Sequence, residues 1–469
     1  MKGFKAAYIM SALGIFLLLS VVITGRSVFE KTGTLNGSVS MQKITVSVKN
    51  HLDPKGSSLL TQKDMNRIRE VMDDRLVTHT IQNTFPVSVK NVSINARVIG
   101  TDSFYAMFHE VKIKSGGFLT KESEERGETV AVIDDELAWQ LYNTDNAVGN
   151  QIRIFDRTFR IIGVSAKDSS IIARLSDDGN ANIYIPSRTF SDLYENAGIS
   201  CFEVETSDNG TLGGNESEIA NAIRTIAGNP SAYKITDYNI ERALMEQKPF
   251  IAIFIMGSIT IIWTLFYIKV IGAHLISFFK SESGTDYFYG IVRHNTSFIL
   301  QSAGKAALAV LFILGLWQCI RFKLYINPAL VPDELIDISY YSGFLKEFLR
   351  QSAADTGYIA PYAEQLFNHA RLLSDVIFFS GFLPGLLLLS AGLSLFHRKT
   401  LEADRILLIM GIMLLISTGV LLLLSMACGL QAVIDMKGFA VICSFLLASC
   451  LRKLYAQPGR IKDMVQISE

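Results

Sequence analysis

Apolar runs of membrane-crossing length divide this chain. Ala6–Gly25 holds 20 residues without a charge, and at about 1.5 Å per residue a helix of that length crosses a hydrocarbon core about 30 Å thick. Lys2 and Lys5 precede it. A cleaved signal peptide starts similarly, but its apolar region is usually about 7–15 residues and ends at a small-x-small site. The run here is longer and Ile23-Thr24-Gly25 makes a poor site, so an uncleaved anchor is expected. Four further spans are expected at Phe250–Ala273, Phe298–Ile320, Val376–Phe396 and Ile406–Ala427. Pro384 lies inside the third of these, which packed neighbouring helices tolerate. Gly438–Leu451 has only 14 residues and spans only if extended back past Asp435 and Lys437. The expected fold class is an α-helical integral membrane protein of about six spans.

The 223 residues Arg26–Lys248 hold no comparable run and are enough to bury a core of their own. Orientation follows from the short connections, because Lys and Arg stay inside. With the N-terminus inside, the inner pieces 1–5, 269–297, 397–405 and 452–469 hold 12 Lys/Arg, against 6 in the equally long outer pieces 321–371 and 428–437. Both termini are therefore expected in the cytosol and 26–248 outside. The whole chain carries 44 basic and 44 acidic residues. That balance argues against a nucleic-acid partner, which needs an excess of cations to displace counterions.

The outer segment reads as mixed α and β. Ile44–Val48 alternates as a half-buried strand does. Thr61-x-x-Asp64 is a helix start, followed by Met65, Ile68, Val71 and Met72 at helical spacing. A strand is expected at Thr129–Ile133, a short helix at Asp134–Tyr142, and a hairpin turning at Asp156-Arg157. Short strands follow at Ile183–Ile185, Phe202–Thr206 and Tyr233–Thr236, with a helix at Glu218–Ile226 and a Gly/Asn-rich loop at Asn209–Asn215. Strand-helix units thus flank a β-rich insert at about 88–195. Gly117, Gly149 and Gly163 read as turn positions, where glycine takes positive φ without cost. In the outer connection 321–375, two amphipathic helices are expected, one carrying Phe344, Leu345, Phe348 and Leu349, the other Ala363, Leu366, Phe367 and Ala370. They would lie on the membrane surface or under the outer domain. The tail 452–469 is cytoplasmic in this scheme.

Several residues together carry a resemblance. They are Val98-Ile99-Gly100-Thr101-Asp102 with Tyr105, Gly116-Gly117-Phe118, Val130-Ala131-Val132-Ile133, Leu137-Ala138 and Asn146-Ala147-Val148-Gly149-Asn150. Ile152-Arg153-Ile154, Phe159-Arg160-Ile161-Ile162-Gly163-Val164 and Ile183-Tyr184-Ile185-Pro186 complete the set. In order and spacing this stretch resembles the extracytoplasmic core domain of MacB-type permeases in the FtsX-like family. The resemblance implies a permease subunit in the inner membrane of a bacterium, driven by a separate cytosolic ABC ATPase that binds the ATP, and paired with a second copy or a paralogue. Motion at the inner surface would pass through the spans to the outer domain, for export, extraction or signalling.

The chain itself has no G-x-x-x-x-G-K-[ST] phosphate loop, and Gly304-Lys305 lacks the upstream glycine. No cofactor is expected on it. Lys305 is expected to snorkel to the inner interface. Ser40-Met41-Gln42-Lys43, Ser207-Asp208-Asn209 and Lys31-Thr32-Gly33 match the three elements of the penicillin-binding set. Their order is wrong and Ser40 leads into a strand, so they read as chance and the chain as no enzyme. The seven histidines are scattered and form no metal motif. Cys201 is the only cysteine of 26–248, which leaves that segment without an internal disulfide. Cys319, Cys443 and Cys450 read as packing residues of the spans.

The resemblance also implies an ATPase-coupling region on the inner connection between the second and third spans. In many relatives it reads roughly R-x-x-E-I-G followed by A-x-G-A. Here Lys269–Thr296 holds only Ile271-Gly272-Ala273. Glu282, Asp286 and Arg293 are the candidate contacts to an ATPase, with a solvated loop as the alternative. The missing motif sets a second reading beside the first, a membrane-anchored sensor or scaffold that uses the same outer domain without ATPase coupling.

Overall fold

The computed structural model describes residues 2–49, 60–73, 75–194, 198–206, 214–228, 230–283, 287–326, 331, 338–354, 358, 360–397 and 403–455. They divide into a helical unit (Met1–Phe29, Glu246–Leu324 and Leu373–Glu469) and a sheet unit (Glu30–Met245 and Tyr325–Leu372).

The sheet unit has ten described strands: β1 Lys43–Val48, β2 Val77–Val89, β3 Val92–Thr101, β4 Lys112–Gly116, β5 Val130–Asp134, β6 Gln151–Ile154, β7 Arg157–Ala166, β8 Ala181–Pro186, β9 Cys201–Glu205 and β10 Tyr233–Asp237. Their order is β10-β1-β9-β2-β3-β8-β5-β7-β4, and β6 bridges β7 and β2. That bridge makes Val87 and Ser88 of β2 pair with Ile154 and Arg153 of β6. A ring therefore closes through β2, β3, β8, β5, β7 and β6. Closure removes free strand edges, which otherwise invite pairing with other chains. Val87, Val98, Ile133, Ile152, Phe159 and Ile183 belong to the buried cluster of this unit. The first residues of β2, Val77–Thr80, pair instead with β9, so one 13-residue strand joins the ring to the open β10-β1-β9 edge.

The strand and helix positions expected at β1, β5, β8, β9 and β10 and at Asp135–Tyr142 agree with the structure, but β1 is buried on both faces rather than half-buried, since Lys43, Thr45 and Ser47 are as buried as its apolar residues. The hairpin of β6 and β7 turns where Phe155 takes φ 49°. Thr61 and Asp64 form a complete capping box ahead of helix Gln62–Met72, with Met65, Ile68 and Met72 buried. Val71, however, is exposed, since it falls off that face. The long β2–β3 hairpin was not expected as such, because polar residues interrupt it and Pro86 lies within β2. Proline is tolerated there: β9 pairs only Val77–Thr80 and β6 only Val87–Ser88, so β2 is an edge at Pro86 on the side away from β3. The glycine reading also needs correction. Gly149 has φ +90°, but in the Gly116-Gly117 pair it is Gly116 that has φ +75°. Gly163 is needed for close approach, since a Cβ there would sit 2.1 Å from the Gly117 carbonyl oxygen. Much of the 209–215 loop lies outside the described residues.

In the helical unit, five described helices are long and apolar enough to cross a membrane: Lys5–Leu35, Tyr238–Glu282, Thr296–Ile320, Tyr362–Phe396 and Asp404–Ala427. Met436–Cys450 is a shorter apolar helix. The first helix is central, with Ile15, Leu18, Leu19 and Val22 buried beside Leu389, Phe396, Ile253 and Phe445. Its tightest seam is made by small residues. A Cβ on Gly14 would lie 2.6 Å from the Leu389 amide nitrogen, and one on Gly392 2.8 Å from the Ser11 nitrogen. Gly381 and Gly385 meet Leu17, Leu18 and Val21 in the same way. Small residues at helical spacing let two backbones approach and gain dispersion where no hydrophobic effect acts between helices.

Three helices do not end where their apolar runs end. Lys2–Leu35 continues beyond Gly25, Tyr238–Glu282 begins before Phe250, and Tyr362–His397 begins before Val376. Three of the four unit boundaries, after Phe29, Met245 and Leu372, therefore fall inside a helix, whereas the one after Leu324 falls outside helix.

Candidate functional site

Within the sheet unit, ordinary sequence positions come together as ion pairs. The deepest pair starts from Lys43, the first residue of β1. Its register against β9 sets Thr45 opposite Glu203. Lys43 Nζ lies 2.9 Å from Glu203 Oε1 and donates to the Phe108 carbonyl at 3.1 Å. Thr45 donates to the same carboxylate oxygen at 3.0 Å, and His109 Nε2 lies 2.5 Å from Glu203 Oε2. Lys43 is 0% exposed and Glu203 3%. The Tyr238 ring, at the start of its long helix, lies 5.1 Å from Lys43 Nζ. Burial alone would raise the Glu203 carboxyl, but His109 and Lys43 hold it at about 2. Burial pushes the His109 imidazole below its ordinary value, against the pull of Glu203.

A second node pins the end of helix Lys2–Leu35. Lys31 Nζ sits 3.0 Å from Glu110 Oε2 and 2.5 Å from Asp168 Oδ2. Burial would raise the Asp168 carboxyl, yet the Lys31 bond and the Ser170 amide hold it below the usual range. Backbone bonds reinforce the joint: Glu110 donates to the Leu35 carbonyl and Val39 to that of Met107, both at 3.0 Å. Gly37, at φ +63°, turns the chain there, and a Cβ would strike the Met107 carbonyl oxygen at 2.4 Å.

The third node is the start of helix Tyr362–His397. Glu364 is 6% exposed. It accepts from Lys234 of β10 at 2.6 Å, from Ser47 of β1 at 3.3 Å, and from the Tyr358 hydroxyl. One turn away Phe367 packs on Tyr238 with ring centroids 4.6 Å apart. Arg371 pairs with Glu241 at 3.0 Å, and the Arg97 guanidinium lies 4.7 Å over the Tyr362 ring. Of the two amphipathic helices expected in the outer connection, this one is packed: Phe367 and Ala370 are buried.

The sequence-derived candidates fare differently. Lys43 is held by Glu203 and the Phe108 carbonyl, Lys31 by its two carboxylates, and Ser40 occupies a turn at φ 55°. Ser207, Asp208 and Asn209 lie outside the described residues. Glu282 ends helix Tyr238–Glu282, Arg293 is exposed on helix Phe288–His294, and Asp286 lies outside the described residues. Lys305 is exposed on helix Thr296–Ile320. Among the described residues no group of three His, Cys, Asp or Glu could hold a metal ion. Glu203, His109, Lys234 and Glu364 escaped sequence reasoning, because nothing local distinguishes a buried charge from a solvated one.

Residues 9–222 match the family model of the MacB-like periplasmic core domain. The chain carries a MacB-like periplasmic core domain. Its match begins within the first long helix and ends in helix Gly214–Ala227, so β10 lies beyond it. Three solved structures are similar to part of the chain. The periplasmic region of MacB from Actinobacillus actinomycetemcomitans is 20% identical over 44% of this chain and 92% of that one, with a TM-score of 0.37. The extracellular domain of the noncanonic ABC-type transporter YknZ from Gram-positive bacteria is 15% identical over 41% and 99%, with a TM-score of 0.35. A domain of a permease-like protein from Porphyromonas gingivalis is 15% identical over 42% and 90%, with a TM-score of 0.30. No curated protein matches the chain. The nodes at Lys31 and Lys43 fall inside the matched MacB-like stretch; Lys234 and Glu364 fall outside it.

Proposed function

We propose that this chain is the membrane permease subunit of an ABC-type system of the FtsX/MacB-like kind. A separate cytosolic ATPase supplies the motion, and the MacB-like domain delivers it outside the membrane for export, extraction or signalling. The reading sets the chain in the inner membrane of a bacterium as a dimer with a second copy or a paralogue. Both termini are inside, the sheet unit is outside, and Met436–Cys450 is the core of a sixth span. One observation carries it: the chain leaves the apolar bundle in three unbroken helices, each ending or starting at a buried charge node of the sheet unit. A helix without a loop transmits displacement, and a packed, ion-paired end answers by shifting between discrete arrangements. ATP binding drives the change only if it favours one arrangement by differential contacts.

The test is a pull-down of the full chain from native membranes, with the ATPase that arrives identified and protease protection reporting the side on which 26–248 lies. Asp286→Arg and Arg293→Glu are expected to lower ATPase recovery. Full recovery with both would move the coupling site elsewhere, and a cytosolic sheet unit would end the proposal. The absence of R-x-x-E-I-G in 269–296 favours the second reading, a sensor or scaffold with no ATPase. In that case no ATPase arrives while the topology result stands.

A further inference from the structure

The outer connection was expected to hold two amphipathic helices, and the fold treats them oppositely. The second is packed on the sheet unit through Phe367 and Ala370. The first, helix Ile338–Ala354, exposes most of its described side chains. Every described residue from Tyr341 to Glu347 is exposed, as are Leu349 and Arg350. Tyr341 is 44% exposed, Phe344 39%, Leu345 57% and Leu349 58%. At 3.6 residues per turn these four fall within an arc of about 140°. Lys346, Glu347 and Arg350 occupy the opposite side, where Arg350 and Glu347 pair at 3.0 Å. A clean apolar face left uncovered on a charged helix is the pattern of a helix lying in a lipid interface.

What covers that face is indicated along the chain. The preceding helix Thr296–Ile320 exposes Leu308, Leu311, Leu314 and Trp317, the surface a bilayer would solvate. Exposed apolar residues continue beyond its end at Leu324, Ile326 and Val331 and resume at Tyr341. Along the chain, exposed apolar residues thus recur from a helix long and apolar enough to cross a membrane to this one, whereas the other exposed apolar residues between 30 and 245 occur singly in the sequence. Tyr is also enriched at membrane–water interfaces, and Phe and Leu form the buried face of interfacial helices. We infer that helix Ile338–Ala354 lies in the plane of the outer bilayer interface, with Tyr341, Phe344, Leu345 and Leu349 in the acyl boundary and Lys346 and Arg350 toward the headgroups. The partner is the lipid surface itself. The inference rests on the membrane reading above but requires no ATPase.

Brominated-lipid quenching of tryptophan in the full chain tests it. The three native tryptophans are Trp139, Trp263 and Trp317. In a background of Trp139→Phe, Trp263→Phe and Trp317→Phe, reporters are added by Phe344→Trp or Arg350→Trp, and the protein is reconstituted in phosphatidylcholine vesicles with or without brominated chains. A further protein retains Trp317 alone and reports on the span. An interfacial helix sits about 5–10 Å into the headgroup boundary, so the Phe344→Trp reporter should lose about half its emission to bromine on the upper chain, less to bromine near the chain end. The Arg350→Trp reporter should change little. Equal quenching at the two positions, or none at 344 while Trp317 is quenched, overturns the inference and leaves the span reading intact. Unquenched Trp317 overturns both. Quenching at 344 that disappears as protein is concentrated in the vesicles means that a second copy covers the face, and also overturns it.

Discussion

Replacing Glu203 by alanine isolates the energetics of the deepest node. The substitution leaves Lys43, which is 0% exposed, with the Phe108 carbonyl and two aromatic faces but no counter-charge. Breaking one side of a buried pair costs about 3–5 kcal/mol, because the remaining ion stays desolvated. The proton linkage gives a similar size. The Glu203 carboxyl falls from 4.5 to about 2 on folding, and at about 1.4 kcal/mol per unit that is roughly 3 kcal/mol. Since the folded value is the lower one, this stability is complete above about 4.5 and is lost as pH falls towards 2. For a domain of this size each kcal/mol moves the melting midpoint by about 2–4 °C, so Glu203→Ala should lower it by roughly 6–20 °C at pH 7. The assay is thermal unfolding of the full chain in detergent, followed by near-ultraviolet circular dichroism at pH 7 and pH 3. The variant should also lose part of the wild type's acid destabilisation between those values. The paired change Lys43→Met with Glu203→Leu should recover most of the loss, since an apolar pair of similar volume often replaces a buried ion pair without cost. A midpoint within about 2 °C of wild type for Glu203→Ala alone would refute the assignment of a desolvated, mutually dependent pair.

Two other nodes give simpler tests. Glu364→Ala strips Lys234, Ser47 and Tyr358 of a common acceptor; it should cost about 1–3 kcal/mol and raise amide exchange in 360–371 and β10 while leaving the β2–β8 ring unchanged. Exchange that rises uniformly, or nowhere, counts against a localised joint. Gly14→Leu forces a side chain into the Leu389 backbone, which a Cβ alone would already meet at 2.6 Å. An overpacking loss of about 1–3 kcal/mol or more should appear as a lower midpoint in detergent titration, and Gly272→Leu, with open space around its Cβ, serves as the control that should not move.

How much was legible depended on whether a signal was local. The long apolar helices could be read because about twenty successive apolar residues, the length that hydrocarbon requires, form a signal contained in one segment. Thr61 and Asp64 announced their capping box because both partners lie within one turn. Strands β5 and β8 were legible because burial on both faces leaves an almost unbroken apolar run. The β2–β3 hairpin was not, since its turn at Lys90 takes φ 52° without glycine and its polar residues mask the alternation. The residues that carried the domain reading, 98–186, lie inside the matched stretch 9–222.

By itself, then, the amino-acid order determined which segments seek lipid, roughly where helices and strands form, and that a separate domain stands between the first two apolar runs. Only the tertiary structure decided that β6 closes a ring on β2, that Lys43 meets Glu203 across 160 positions of chain, and that Glu364 and Lys234 share one joint. The physical reason is that a charge costs nothing in the unfolded chain, where water solvates it. Its cost and its partner come into being only when folding removes the water and brings distant side chains to the same place.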